Sequence, residues 1–182
     1  MENIKKSLSD IVHQYAAITI AVMFLFSNTV GAPAAQALIV KPKTEVQLKK
    51  ETLEKYSNTV YKPSQALSDE DLKDLLMAVG FEGKGLKTAW AIAKRESNGR
   101  PMAYNGNRNT GDSSYGIFRI NMLGELGIDR KEKFDLRSNI LLFDPVINAE
   151  ITYHMTKGGL DWSSWSSLGG DRYKEFLTRF PN

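Results

Sequence analysis

An uncharged and strongly apolar segment near the start of this chain restricts which residues can form a compact domain. No Asp, Glu, Lys or Arg occurs from Ile11 to Val40, and the run Tyr15–Phe26 is almost entirely apolar. A helix that packs one face on a soluble core carries a polar opposite face, and this segment is too apolar on all sides for that. We therefore expect residues 1–40 to lie outside the folded domain.

Two interpretations fit the apolar segment. Lys5 and Lys6 precede it and Ala35-Gln36-Ala37 follows it, which is the order of parts in a secretory signal peptide. The alternative is a membrane anchor, since a span needs about 20 mostly apolar residues. If the segment is not cleaved, the membrane is a partner through Ile11–Val40. Both interpretations predict that the protein acts in the cell envelope or beyond it.

Residues 41–67 differ from both of their neighbours. Lys41–Lys55 is dense in Lys and Glu, and Pro42 and Pro63 interrupt the stretch. An exposed helix over Thr44–Tyr56 is compatible with this pattern. We predict a charged stalk or linker that connects the apolar segment to a folded domain at residues 68–182.

The remainder of the chain predicts a mostly helical α+β domain. Ser68 followed by acidic residues is typical of a helix start, and Asp144-Pro145 is another. The turn-forming stretch Asn105–Asp112 lies between segments rich in aromatic and β-branched residues, which predicts a small irregular β-hairpin. A final helix is expected from Asp171, so the order is two helices, a hairpin and further helices.

Glu96 occupies a chemically notable position on the second of these helices. The apolar stripe through Ala89, Ile92 and Ala93 extends by one step onto Glu96, whereas Lys94 and Arg95 are expected on the solvated side. Apolar surroundings raise the pKa of a carboxyl group, and a Glu protonated near neutral pH can act as a general acid. On periodicity alone, a Glu that simply reaches solvent at the helix end remains the alternative.

The amino-acid composition restricts the kinds of active site that this chain can form. The chain has no Cys and two His, which excludes a thiol nucleophile and a Cys-ligated zinc site and disfavours a multi-histidine metal site. We therefore expect no metal site, and the sequence implies no organic cofactor. The formal net charge of +3 suits an anionic partner such as cell wall, membrane surface or nucleic acid, without choosing among them.

The ordered motifs around Glu96 resemble the lysozyme superfamily. Ala93–Asn98 (AKRESN), Asn107–Thr110 (NRNT) and Tyr115–Asn121 (YGIFRIN) follow the order seen in animal-type lysozymes. Asp144-Pro145 with Asn148-Ala149, and the later Trp162-Ser-Ser-Trp165, resemble soluble lytic transglycosylases and related bacterial or phage cell-wall lysins. The resemblance covers Leu72 to Trp165.

This resemblance implies a lysozyme-like fold and a peptidoglycan-degrading enzyme. It implies cleavage of the β-1,4 bond between N-acetylmuramic acid and N-acetylglucosamine, with Glu96 as the single catalytic residue and a 1,6-anhydro product. The implied partner is the peptidoglycan glycan strand, and nucleic acid is not expected. The enzyme would act in the cell envelope, or in a phage as a lysin or a virion-associated enzyme together with other virion proteins.

The same resemblance gives a set of substrate-binding candidates, some of which also have structural interpretations. Ser97 orients Glu96 or caps the helix, and Ile117, Phe118 and Tyr153 line the cleft or belong to the core. For Trp162 and Trp165, stacking on sugar rings competes with core packing. The complete set is Ser97, Tyr115, Gly116, Ile117, Phe118, Arg119, Asn121, Asn148, Tyr153 and Trp162.

Two departures from the family pattern leave the reaction type open. Ser114 stands where animal-type lysozymes place a second catalytic Asp, and Arg119 replaces a family Gln. Asp112 lies two residues before Ser114, and since alternate strand residues share a face, it is a possible second carboxylate as well as a possible turn residue. The alternatives to a transglycosylase are therefore a hydrolytic lysozyme that uses Asp112, and a glycan-binding module without activity.

Overall fold

The computed structural model describes residues 42–107, 109, 111–165 and 171–181. The chain divides into two compact units, Met1–Val40 and Lys41–Asn182, and the following description concerns the second. The predicted signal peptide or anchor, Ile11–Val40, lies outside the described residues. In the described part of the chain, no helix has the length and apolar character needed to cross a membrane.

The second unit has the expected mostly helical α+β architecture. Its three short strands form one antiparallel sheet in the order β1-β2-β3, so the predicted hairpin gains a third strand. Tyr104 pairs with Tyr115 and Ser114 pairs with Asn121. The elements are α1 (Glu45–Ser57), α2 (Asp69–Val79), α3 (Gly83–Ser97), β1 (Tyr104–Asn105), β2 (Ser114–Tyr115), β3 (Ile120–Asn121), α4 (Gly124–Lys133), a 3-10 helix (Asn139–Phe143), α5 (Pro145–Met155) and α6 (Asp171–Thr178).

Local chemistry explains where the principal helices begin and end. The Ser68 hydroxyl accepts a hydrogen bond from the Asp71 backbone N–H at 3.0 Å, which caps α2. Gly80 ends that helix with a left-handed φ of 118°. The Asp144 carboxylate caps α5 by accepting from the N–H of Val146 at 2.8 Å, with Pro145 at the first helical position. The starts at Ser68 and Asp144 agree with those predicted from the sequence.

A single apolar core joins α2, α3 and α5 to the sheet. Its members come from every part of residues 56–165, and the largest fully buried apolar side chains are Trp90, Phe81, Phe118, Leu72, Leu75, Leu76, Ile92, Ile117, Ile120 and Leu142. The last helix, α6, packs against α3. Just after α6, the Phe180 ring lies edge-on to Trp90 at 5.7 Å, and the Lys73 ammonium donates to the Pro181 carbonyl.

Helix α1 is docked on this core, which differs from the stalk predicted for residues 41–67. The helix itself agrees with the prediction, but Tyr56 near its end is only 2% exposed, and its hydroxyl donates to the Asp71 carboxylate at 2.8 Å. Burial, reinforced by this bond, raises the pKa of the Tyr56 phenol. Farther on, Leu67 is buried. A few apolar residues in a charged stretch therefore suffice to attach it.

Lys94 also differs from expectation, because it is buried rather than solvated. Its side chain is 8% exposed and forms an ion pair with Asp69 at 2.7 Å. The ammonium lies 5.8 Å from the centre of the Trp90 ring. The aliphatic stem covers apolar surface while the charged end reaches Asp69, so this pair links the start of α2 to the last turn of α3.

Replacing Tyr56 by Ala tests whether α1 belongs to the folded unit. We expect Tyr56→Ala to lower the free energy of unfolding by about 3 kcal/mol, because it leaves a cavity against α2. Val46 lies on the same helix with 76% exposure, and Val46→Ala should change stability by less than about 0.5 kcal/mol. Urea denaturation measures both values, and equal stability of the two variants would contradict the docking of α1.

Candidate active site

A polar cleft opens where the last turn of α3 meets the three-stranded sheet. Its volume is about 360 Å³, within the usual range for small-molecule sites of about 300–1,000 Å³. The cleft brings together four of the predicted residues, namely Glu96, Asp112, Arg119 and Asn121. Its complete lining is Glu96, Gly111, Asp112, Ser114, Arg119, Ile120, Asn121, Arg130, Met155, Ser164 and Trp165.

Glu96 reaches this cleft because it is the penultimate residue of α3. The helix ends at the next residue, Ser97, because Asn98 takes a left-handed φ of 57° and its N–H donates to the Lys94 carbonyl. Glu96 is half-buried. It also borders a second cavity, of about 490 Å³, on the side of α6. The carboxyl group thus lies at the junction of two cavities.

Asp112 lies in the same cleft as Glu96, and its carboxylate is held by two neutral donors. The Asn105 side-chain amide donates to Oδ2, and the Ser114 hydroxyl donates to Oδ1. Ser114 thus binds Asp112, and both side chains belong to the lining of the cleft.

Two guanidinium groups line the cleft as well. Arg119 was predicted to do so, and its Nε is buried without a hydrogen-bond partner among the described residues. Arg130 was not predicted: it lies on α4 and donates to the Asn121 backbone carbonyl. Burial lowers the pKa of the Arg130 guanidinium. No motif marks Arg130, because α4 has the sequence of an exposed charged helix and only the tertiary fold turns this residue inward.

Asn121 combines a structural role with its place in the cleft. Its side-chain oxygen accepts from the Leu123 backbone N–H at 2.9 Å and from that of Ser113 at 3.4 Å. Its amide donates to the Gly111 carbonyl at 3.4 Å. These bonds hold the loop that carries Asp112 against the start of α4.

Asn148 corrects one predicted substrate contact, because it is completely buried and does not line the cleft. Its amide nitrogen donates to the Tyr115 carbonyl at 2.9 Å and to the Leu142 carbonyl at 3.0 Å. Its oxygen accepts from the Phe118 N–H at 3.0 Å. Asn148 therefore connects α5 to the turn between β2 and β3.

That turn corrects three further predictions. Gly116 has a φ of +78°, and a Cβ there would lie 2.2 Å from both the Asn148 amide nitrogen and the Leu142 carbonyl oxygen. Its role is close packing against α5 rather than approach of a ligand. Ile117 and Phe118 have no exposed surface, so they belong to the core.

Ser97 and Tyr115 also face away from the cleft lining. Ser97 is 2% exposed. Its hydroxyl donates a hydrogen bond to the Ile117 carbonyl at 2.7 Å, which joins the end of α3 to the turn. The Tyr115 ring packs on Tyr104 at 4.9 Å and on Phe143 at 5.5 Å. A hydrogen bond from Ser113 lowers the pKa of the Tyr115 phenol.

The aromatic candidates divide between core and cleft. Tyr153 lies edge-on to Phe81 at 5.0 Å, and Trp162 stacks on the same ring at 6.2 Å, so both are structural. Trp165 instead lines the cleft, and its indole N–H donates to the Phe118 carbonyl at 3.0 Å. Within the described ranges, no group of three His, Cys, Asp or Glu side chains is placed to hold a metal ion.

Comparison with known protein families places residues 73–167 in a described family. A family described as "Lysozyme like domain" matches residues 73–167, more than half of the chain. No curated protein and no solved structure matches. The matched range contains Glu96, Asp112, both cleft arginines and Trp165, whereas α1 and α6 lie outside it.

Alanine substitutions at Gly116 and Gly124 distinguish the free-energy cost of overpacking from the cost of a left-handed backbone. Gly124 also has a positive φ, +57°, but no atom lies within 4 Å of an added Cβ. We expect Gly124→Ala to cost about 1–2 kcal/mol for the left-handed backbone. Gly116→Ala adds about 1–3 kcal/mol of overpacking against Asn148. Chemical denaturation of both variants measures the difference, and equal losses would show that Gly116 has room for a side chain.

Proposed function

Because this chain belongs to the lysozyme-like domain family of peptidoglycan-acting enzymes, we propose that it is a lytic transglycosylase with Glu96 as its catalytic residue. The bond broken is the β-1,4 linkage between N-acetylmuramic acid and N-acetylglucosamine. The observation that carries the proposal is the position of Glu96, half-buried at the end of α3 and bordering both cavities. Groups of a substrate bound at Glu96 can therefore contact the protein on two sides.

In this mechanism one carboxyl group acts twice. Glu96 first donates its proton to the glycosidic oxygen, and the bond from that oxygen to the muramyl C1 breaks. The Glu96 carboxylate then removes the proton of the muramyl 6-hydroxyl, and that oxygen bonds to C1. The product is a 1,6-anhydro sugar, no water is consumed, and Glu96 regains its proton. Proton donation and proton removal by the same carboxyl group make a second catalytic side chain unnecessary.

The contacts of Asp112 support the single-carboxylate form of the reaction. Both of its oxygens already accept hydrogen bonds, from Asn105 and Ser114, so the carboxylate stabilises the cleft loop. A second candidate is hydrolysis with two carboxylates, as in most glycosidases. The observation that favours it is that Asp112 lines the same cleft as Glu96. The two candidates share the substrate and differ in whether water enters the product.

The family substrate lies outside the cytoplasm, and we propose that residues 1–40 export the enzyme or anchor it in the cell envelope. A phage lysin or virion-associated enzyme would use the same site. Mass spectrometry of purified virions would distinguish these settings, since detection of the chain there assigns it to the particle.

Removing the acid tests the catalytic assignment. Glu96→Gln keeps the shape of the side chain but cannot donate a proton, so we expect cleavage of purified peptidoglycan to fall about 100- to 10,000-fold. The circular dichroism spectrum and the urea midpoint should remain those of the wild type. A folded Glu96→Gln protein with near-normal activity would contradict the role of Glu96. A wild-type protein that binds but never cleaves would indicate a glycan-binding module.

The mass of the products separates the two reactions. We expect wild-type digests to contain anhydro-muramyl ends, because the 6-hydroxyl and not water attacks C1. Asp112→Asn should retain most of the activity and the same product, since its amide oxygen still accepts the hydrogen bond from Ser114 that holds the loop. Muramyl products heavier by one water, together with loss of cleavage in folded Asp112→Asn, would establish the hydrolytic alternative.

A further inference from the structure

The second cavity beside Glu96 shares Glu96 and Arg119 with the cleft but is otherwise lined by different residues. Its volume is about 490 Å³, and its described lining consists of Arg95, Glu96, Arg119, Glu175 and Phe176. Two of these residues, Glu175 and Phe176, belong to α6. That helix lies beyond the family match, which ends at residue 167. This cavity is therefore partly built by a segment that the family domain does not include.

The charges of the cavity indicate an ionic ligand. Arg95 and Arg119 place two guanidinium groups around it, with the carboxyl groups of Glu175 on α6 and of Glu96 beside them. Guanidinium groups bind carboxylates through paired, charge-assisted hydrogen bonds. The buried Arg119 Nε has no partner among the described residues, and native structures rarely leave such a donor unsatisfied. A neutral sugar ring supplies no charge to match this set.

The proposed substrate carries such a group next to the scissile bond. The muramyl ring bears a lactyl ether on C3, and the peptide stem is linked to it through an amide. The stem contains free carboxylates, and where its diamino residue is not cross-linked, a free ammonium group. Because the lactyl group is a substituent of the ring whose C1 reacts at Glu96, the stem must leave the ring beside Glu96.

We infer that the cavity between α3 and α6 binds the peptide stem of the muramyl residue. Arg95 and Arg119 bind stem carboxylates, and Glu175 binds the ammonium group of an uncross-linked stem. This inference rests on the proposed function and names the form of substrate that the enzyme selects. The protein then cleaves glycan that still carries its stems in preference to glycan from which the stems have been removed.

A pair of matched substrates tests this selection. Purified glycan strands are compared with the same strands after an amidase has removed the stems. For the wild type we expect kcat/KM on the stem-bearing strands to be about tenfold higher, the effect of one charge-assisted hydrogen bond. Arg95→Gln and Glu175→Gln should each lower the ratio of the two rates toward one. Arg137→Gln removes a charge from an exposed residue outside both cavities and should leave the ratio unchanged.

Binding to the inactive protein makes the test independent of cleavage. Full-length Glu96→Gln is titrated by calorimetry with a disaccharide carrying its stem and with the same disaccharide without it. We expect tighter binding of the stem-bearing form, and loss of the difference when Arg95→Gln is added. Because Glu175 is exposed, Glu175→Gln repeats the test should Arg95→Gln fail to fold.

The outcomes separate this inference from the proposed function. Equal rates and equal affinities for both substrates, with cleavage intact, would overturn the stem site and leave the reaction standing. The cavity would then hold further sugar rings. Stem-dependent binding without cleavage of either substrate would support the stem site and overturn the transglycosylase. A stem preference that Arg95→Gln and Glu175→Gln both leave unchanged would also overturn the inference.

Discussion

The side-chain amide of Asn148 is the constraint on which the cleft depends. It is completely buried, and it satisfies two carbonyls and one N–H that belong to other parts of the chain. A buried backbone group without a partner costs about 1–3 kcal/mol, so no other position of the β2–β3 turn serves as well. Gly116 allows the amide to approach that turn, since any side chain there would collide with it. The residues on either side, Ser114 and Arg119, are thereby fixed at the edge of α3.

Sequence reasoning succeeded where the determining interactions are local. Helix caps, the apolar stripes and the place of Glu96 at the end of one stripe follow from the 3.6-residue period, which needs no knowledge of distant contacts. It failed where tertiary contacts determine whether a side chain is buried or exposed. Nothing local distinguishes the docked Tyr56 from a residue of an exposed stalk, or turns Arg130 toward a cleft. Sequence motifs predicted wrong substrate contacts for another reason. A position that must be Asn or Gly for internal packing matches a motif just as a position that binds substrate does. Asn148 and Gly116 are of this kind.

The charged side chains of the cleft are held by uncharged partners, and the described residues contain no metal-binding cluster. Asp112 is held by neutral donors, Arg130 by a backbone carbonyl, and Glu96 stands between two cavities. The chain contains no Cys, so the core and its buried polar bonds maintain this geometry without disulfides. The ion pair of Lys94 with Asp69 and the packing of Phe180 on Trp90 stabilise α3 on the sides away from the cleft. Glu96 is therefore carried by a helix that is fixed on several faces.

The backbone of Arg119 has a consequence for how this cleft can diverge. Its φ of 49° lies in the left-handed region, where most side chains are disfavoured, Asn is tolerated and Gly is adopted freely. Every Arg codon becomes a Gly codon by a single base change, and that change would relieve backbone strain as it removes the charge. Related enzymes can therefore lose or regain a cation beside the acid without rebuilding the turn. Substrate preference in such a lineage can drift faster than the fold that supports it.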